Sequence, residues 1–208
     1  MMRIDSVSSR PDRAGRFKVC FSDGSSMSLY RQTIEDFGLY SGLEITTESF
    51  EGLRIAAGKM SAKMRAIRIV SATSVSKGDL ERRLIQKGEN ADDAKQAVDW
   101  MADLDLLDDR RTAEQLVSRC ISKGYGIHRA RQLLYEKRIP KQYWQDVLED
   151  YPDQSAAILS FLQAHLDENS DAKQVRRVVE SLIRKGHNYT DIRHGIQNLS
   201  LSDDFLEE

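Results

Sequence analysis

The chain has 208 residues, enough for one large or two small domains. Apolar residues make up 40% and charged residues 31%, with 7% aromatic, a balance that suits a helix-rich protein with several thin cores rather than one thick one. No run approaches the roughly 20 apolar residues of a membrane span. The start, MMRIDSVSSR, lacks the apolar stretch of an export signal, so a cytoplasmic protein is expected.

The net charge of −2 hides an asymmetry along the chain. Residues 1–58 carry 7 basic and 8 acidic side chains, residues 59–141 carry 18 and 12, and residues 142–208 carry 6 and 13. A basic middle beside an acidic end points to a polyanionic or mixed-charge partner; solvated helix faces account for local excesses equally well.

The first segment alternates. Phe17, Val19 and Phe21 take turns with polar neighbours, Asp23-Gly24 supplies a turn, and Met27 and Leu29 resume the pattern, which is a hairpin signal. A strand around Ile4 to Ser8, a short helix over Arg31 to Phe37 ended by Gly38, and a strand over Leu43 to Thr46 complete a small β-containing extension. Alone it is too short to be stable. Cys20 falls in a strand and Cys120 on a helix face, both expected to be reduced, buried thiols.

From Thr47 onward the pattern is helical. Ser49 to Ser71 predicts a long helix weakly interrupted at Gly58. Val75 to Gly88 follows, with Ser76 and Asp79 as an N-terminal capping pair, then Asn90 to Leu104. The next helix opens at Asp108 and carries Ala113, Leu116, Val117, Cys120 and Ile121 on one face, with Gly124 as a left-handed stop. Ile127, Ala130 and Leu134 mark another helix, and Pro140 suits the first position of the one bearing Tyr143, Trp144, Val147 and Leu148. Ile158 to Leu166, Val175 to Ile183 and Ile192 to Leu199 complete the series. Trp100 and Trp144 read as packing residues.

The helices recur at a fixed period. Gln86-Lys87-Gly88 is echoed by Glu136-Lys137-Arg138 and Arg184-Lys185-Gly186, at offsets of 50 and 48 residues. Around these anchors Leu84, Leu134 and Leu182 superimpose, as do Ala94, Trp144 and Ile192, and Val98, Leu148 and Ile196. Such periodicity is the mark of stacked helical repeats. The expectation is a mainly α protein: three tandem three-helix-bundle repeats, elongated and curved, behind a small β-hairpin-containing N-terminal extension. The boundaries are 1–58 for the extension and linker helix, 59–107, 108–151, and 152–208 with an acidic tail at Asp203–Glu208.

The middle repeat resembles the signature of the RecX family, regulators of the RecA recombinase. Asp109 stands for the acid that opens the signature, Ala113 for its Ala, Lys123-Gly124 for its basic turn, Leu133/Leu134 for its apolar pair and Lys137-Arg138-Ile139 for its close. Ala66 to Ser71 and Leu80 to Gly88 are similar to the family's opening helices. The hairpin resembles the N-terminal extension of some members. Thr112 departs from the usual aromatic residue, and Arg138 from the usual Gly of a tight turn. The resemblance implies a non-enzymatic protein, monomeric and without cofactor, whose partner is the RecA filament on single-stranded DNA. It would lie in the filament groove, limit recombinase, ATPase and coprotease activity, and make at most a weak direct DNA contact.

Basic residues expected to face outward are the candidate contacts to partner or nucleic acid: Arg82, Arg83, Lys87, Arg119, Lys123, Arg129, Arg131, Lys137 and Lys141. Cations that neutralise phosphates make binding salt-sensitive; each also fits a solvated helix position or a helix C-terminus. His187, Asp191 and His194 have the spacing of a metal-binding helix face, but Gly186 and a capping Asn188 put His187 before the helix, so no metal is expected. Asp108-Asp109 reads as capping rather than a catalytic pair. No phosphate loop or nucleophile elbow is present. Two further readings remain open: a helical protein binding DNA or RNA directly, and a helical scaffold for an unrelated partner.

Overall fold

The computed structural model describes residues 1–167 and 170–199; the acidic end Asp203–Glu208 lies outside the described residues. The protein is mainly helical with a small N-terminal antiparallel sheet. In chain order the elements are β1 (Met2–Val7), β2 (Arg16–Phe21), β3 (Ser26–Tyr30), α1 (Arg31–Asp36), β4 (Glu44–Ile45), α2 (Thr47–Ala72), α3 (Lys77–Gln86) and α4 (Ala91–Asp103). These are followed by α5 (Asp109–Ser122), α6 (Ile127–Glu136), a 3-10 turn (Lys141–Tyr143), α7 (Trp144–Glu149), α8 (Ser155–His165), α9 (Ala172–Arg184) and α10 (Tyr189–Gln197). Two compact units divide the chain: Met1–Ser74 with Leu80–Leu107, and Val75–Asp79 with the chain from Asp108 onward.

In the first unit the strands are ordered β3-β2-β1-β4. The hairpin pairs Phe17 with Leu29 and Val19 with Met27, as its alternation predicts, and Gly24 makes the turn at φ +84°. Ile4, Val19, Phe21 and Leu29 are buried together with Leu53 of α2, and Phe50 meets Phe21 edge-on at 5.2 Å. A sheet this small is therefore completed by the first turns of the long helix. Thr46 caps that helix by accepting from Ser49 N at 3.1 Å.

Gly58 does not interrupt α2, which runs unbroken to Ala72. A β-carbon there would lie 2.5 Å from Asp93 Oδ2 of α4, so the glycine permits a close approach of the two helices. Burial there raises the Asp93 carboxyl above its usual range.

In the second unit α5, α6 and α7 enclose Ala113, Val117, Cys120, Ala130, Leu134 and Leu148, while α8, α9 and α10 enclose Ile158, Leu162, Val175, Leu182, Ile192 and Ile196. Asp171 and Gln174 form a reciprocal capping box at the start of α9. Pro140 precedes a 3-10 turn instead of opening an α-helix; its ψ of 135° is extended. Trp144 sits half-buried at that turn, its indole N–H donating to Ile139 O at 3.0 Å. Trp100 is also half-buried, under the Lys63 ammonium at 4.9 Å.

Helix ends share one device. After α3, α6 and α9 the chain turns through Gly88, Arg138 and Gly186 at φ +89°, +51° and +84°. In each turn the next N–H reaches back five residues: Glu89 to Leu84 O, Ile139 to Leu134 O and His187 to Leu182 O, at 3.0–3.1 Å. Arg138 thus keeps the turn that its missing glycine puts in question. Gly124 turns in the same way, but at the end of α5, so it is not the counterpart of those three.

Candidate nucleic-acid interface

The expected basic residues do not form one outward-facing set. Arg119, Lys123, Arg131 and Lys141 are exposed, and Lys87 is exposed in the first unit. Arg82, Arg83, Arg129 and Lys137 are half-buried instead. Arg129 pairs with Glu136 at 3.4 Å, and Lys137 Nζ lies 3.8 Å from the buried Asp79 carboxylate. Their long stems cover apolar surface, which a sequence pattern based on charge alone does not register.

Arg83 and Lys87 come together in the first unit with three cations that the sequence did not single out. Arg16 on β2, Arg65 and Arg68 on α2, and Arg83 and Lys87 of α3 and its exit turn line one open pocket of about 430 Å³. Tyr30, at the end of β3, is its aromatic member, and no acid belongs to its lining. The arginines are held. Arg65 Nε pairs with Glu89 at 2.6 Å and an Arg65 terminal N–H donates to Lys87 O at 3.0 Å. Arg68 donates from Nε to Met64 O at 3.2 Å and from its terminus to Tyr30 Oη. Arg16 donates from Nε and from a terminal N–H to the one oxygen Asp12 Oδ2, at 3.0 and 2.8 Å. Backbone N–H groups and the Arg16 guanidinium hold the Asp12 carboxyl below its usual range. Arg65, Arg68, Ile69 and Ala72 fall at i, i+3, i+4 and i+7, one face of α2; that spacing could have marked the two arginines. Arg16 had no local signal.

In the second unit the acids that looked like a pair have separate tasks. Asp108 caps α5 by accepting from Arg111 N at 2.9 Å, while buried Asp109 accepts from Lys77 N at 2.8 Å. Ser76 accepts from Asp79 N at 3.0 Å, as its capping pattern predicts, and donates to Lys137 O. Thr112 is buried and donates to Asp108 O at 2.7 Å, so a hydroxyl meets backbone where the family has a ring. These bonds explain why Val75–Asp79 belongs to the second unit.

His187 is buried and its Nε2 donates to Gly124 O at 3.1 Å; burial lowers its pKa, so the ring is neutral near pH 7. It lines a second, smaller cleft with Lys123, Phe161 and Lys185, where Lys185 Nζ stands 3.7 Å over the Phe161 ring. Asn188 caps α10, accepting from Thr190 N at 3.2 Å.

No family model matches the sequence. Curated relatives do. The chain is 27% identical over 133 residues to the regulatory protein RecX of Chromohalobacter salexigens, covering 63% of this chain and 88% of that protein. It is 22% identical to the Staphylococcus carnosus RecX across this whole chain and 79% of that one, and 20% identical to the Clostridium perfringens RecX over the whole of both. A crystal structure of regulatory protein RecX has the same fold, with a TM-score of 0.58 at 17% identity over 93% of this chain and all of that one. RecX from Lactobacillus salivarius superposes with a TM-score of 0.57 at 22% identity, over 70% and 98%.

Relatives and fold define a class, the helical regulatory proteins with a small sheet at the N-terminus. Within it, the chain is similar to regulatory proteins of the RecX family.

Proposed function

We propose that this protein binds RecA filaments on single-stranded DNA and inhibits the recombinase, its ATPase and its coprotease activity, in the cytoplasm and without a catalytic step of its own. The end-to-end match to RecX of Clostridium perfringens carries the reading, because it spans extension and helices together. The family resemblance of the middle helices supports it independently of the sheet.

The same reading has three tandem three-helix units, at 59–107, 108–151 and 152–208, behind the extension at 1–58. Its support is the turn at Gly88, Arg138 and Gly186, and a contact that occurs twice. Ser76, before α3, donates to Lys137 O, and Gly126, before α6, donates to Lys185 O. Each links the start of one second helix to the end of the next, about 60 residues on, as stacked repeats do.

The deciding experiment titrates the protein into a RecA ATPase assay on single-stranded DNA. Inhibition well below one protein per RecA is expected. An unchanged ATPase, with tight and salt-sensitive binding to naked DNA, would leave the direct nucleic-acid-binding reading, which the five-cation pocket favours.

A further inference from the structure

The geometry points to the basic pocket of the first unit as a phosphate site that takes the backbone of a single-stranded nucleic acid. This deepens the filament reading and rests on it for the identity of the strand.

Four arginines and a lysine from β2, α2, α3 and the turn after α3 converge on one opening with no acid in its lining; Asp12 and Glu89 pair with Arg16 and Arg65 from beside it, leaving a net positive cluster. Gathering like charges raises the local potential, and an entering anion relieves it. Guanidinium forks match phosphate oxygens, and an arginine has five N–H donors. The bonds to Glu89 and Lys87 O use two nitrogens of Arg65, and those to Met64 O and Tyr30 use two of Arg68. Both forks are thereby oriented in advance with donors to spare, which lowers the ordering cost of binding.

The surroundings favour a chain of phosphates over a single ion. A small anion is best held by backbone N–H groups at a helix N-terminus. Here Ala72 and Thr73, at the C-terminal end of α2, line the pocket instead. The dipole there favours the cations, and only side-chain charge attracts the ligand. Charges spread over three elements along an open cleft suit a ligand whose charge repeats.

Tyr30 decides the mode of recognition. It is buried and its hydroxyl is bonded to Arg68, so its ring offers no face for a base. Contacts to phosphate position a strand without reading its sequence. The pocket should therefore bind strands with little base preference.

The test uses the full chain and a fluorescein-labelled oligothymidylate, with anisotropy followed across salt concentrations and no RecA present. Arg68→Ala and Lys87→Ala are compared with the parent after thermal melting establishes that each is folded. Each should weaken binding about fivefold and lower the slope of log affinity against log salt by about 0.7. Oligocytidylate should bind the parent as oligothymidylate does. Folded variants with parental affinity and slope would overturn the site. So would variants that lose binding of tripolyphosphate or poly-glutamate while holding oligothymidylate unchanged, since the pocket would then serve a free oligophosphate or an acidic peptide. The RecA ATPase assay separates the two claims: a parent that binds the strand through this pocket yet leaves RecA unaffected sinks the filament reading alone. Variants that inhibit RecA with undiminished strand binding sink the pocket alone.

Discussion

Gly126 and Gly186 meet backbone to backbone. Gly126 N–H donates to Lys185 O at 2.9 Å, His128 N–H donates to Gly186 O at 3.3 Å, and the Gly186 carbonyl stands where a β-carbon on Gly126 would have to go. Gly186 is confined in turn: its own β-carbon would fall 2.5 Å from Arg129 Cβ, and its φ is +84°. Backbone cannot move aside as a flexible side chain does. Gly126→Ala and Gly186→Ala should each destabilise the protein by about 3 kcal/mol, through overpacking and, for Gly186, the left-handed backbone as well. Urea unfolding measures this; a loss under about 1 kcal/mol would show that the contact yields.

Ser76 serves two neighbours with one hydroxyl, accepting from Asp79 N and donating to Lys137 O. Ser76→Ala removes a helix cap and leaves the half-buried Lys137 carbonyl short of its donor, a loss of about 2 kcal/mol. Arg138→Gly has the opposite sign. It relieves the left-handed strain of a side chain at φ +51°, and a gain of about 0.5 kcal/mol is expected after the greater chain entropy of glycine is offset. Paired denaturation curves of the two variants test both signs.

Burial lowers the His187 pKa below the ordinary 6.5; the bond to Gly124 O and the nearby Asp191 oppose that shift, while Lys185 adds to it. The unfolded chain therefore binds a proton that the folded chain refuses between the folded pKa and 6.5. Stability from this group is complete above pH 6.5 and falls as the pH drops through that window. The melting temperature should decline below pH 6.5, and His187→Gln should flatten the decline. A parental pH profile in the variant would assign the effect elsewhere.

Cys120 is buried between α5 and its neighbours, and burial pushes its thiol above the usual range. The half-buried Cys20 on β2 lies nearer solvent, and both thiols are free. An aromatic disulfide reagent should label one thiol quickly in the native protein and the second only on unfolding. Cys20→Ser should abolish the fast phase. Two fast thiols would contradict the packing of the second unit.

What could be foreseen is what neighbours in sequence decide. The caps at Ser76, Asn90, Asp108 and Asn188 are local bonds, and each is where a short polar side chain precedes an apolar helix pattern. The hairpin register follows from alternation and Asp23-Gly24. Gly58 misleads because a glycine weakens helix propensity, while its use here is tertiary, an approach to Asp93. Pro140 misleads because the missing N–H is as well tolerated before a 3-10 turn as inside a helix start. Burial of Arg82, Arg83, Arg129 and Lys137 depends on what packs over their stems. The pocket was half legible: Arg83 and Lys87 stood out, while Arg16 joins them only because the sheet packs on α2.

The strand order places β1, the earliest of the four strands in sequence, between β2 and β4. One edge of β1 waits for Phe21 and the other for Ile45, and Ile4 stays unpaired on one side until Gly42 and Leu43 arrive to exchange bonds at 2.7 and 2.9 Å. Its burial further needs Leu53 of α2. The core of the extension is therefore finished only once Leu53, about 50 residues after Ile4, is in place, and loop closure over that span sets its pace.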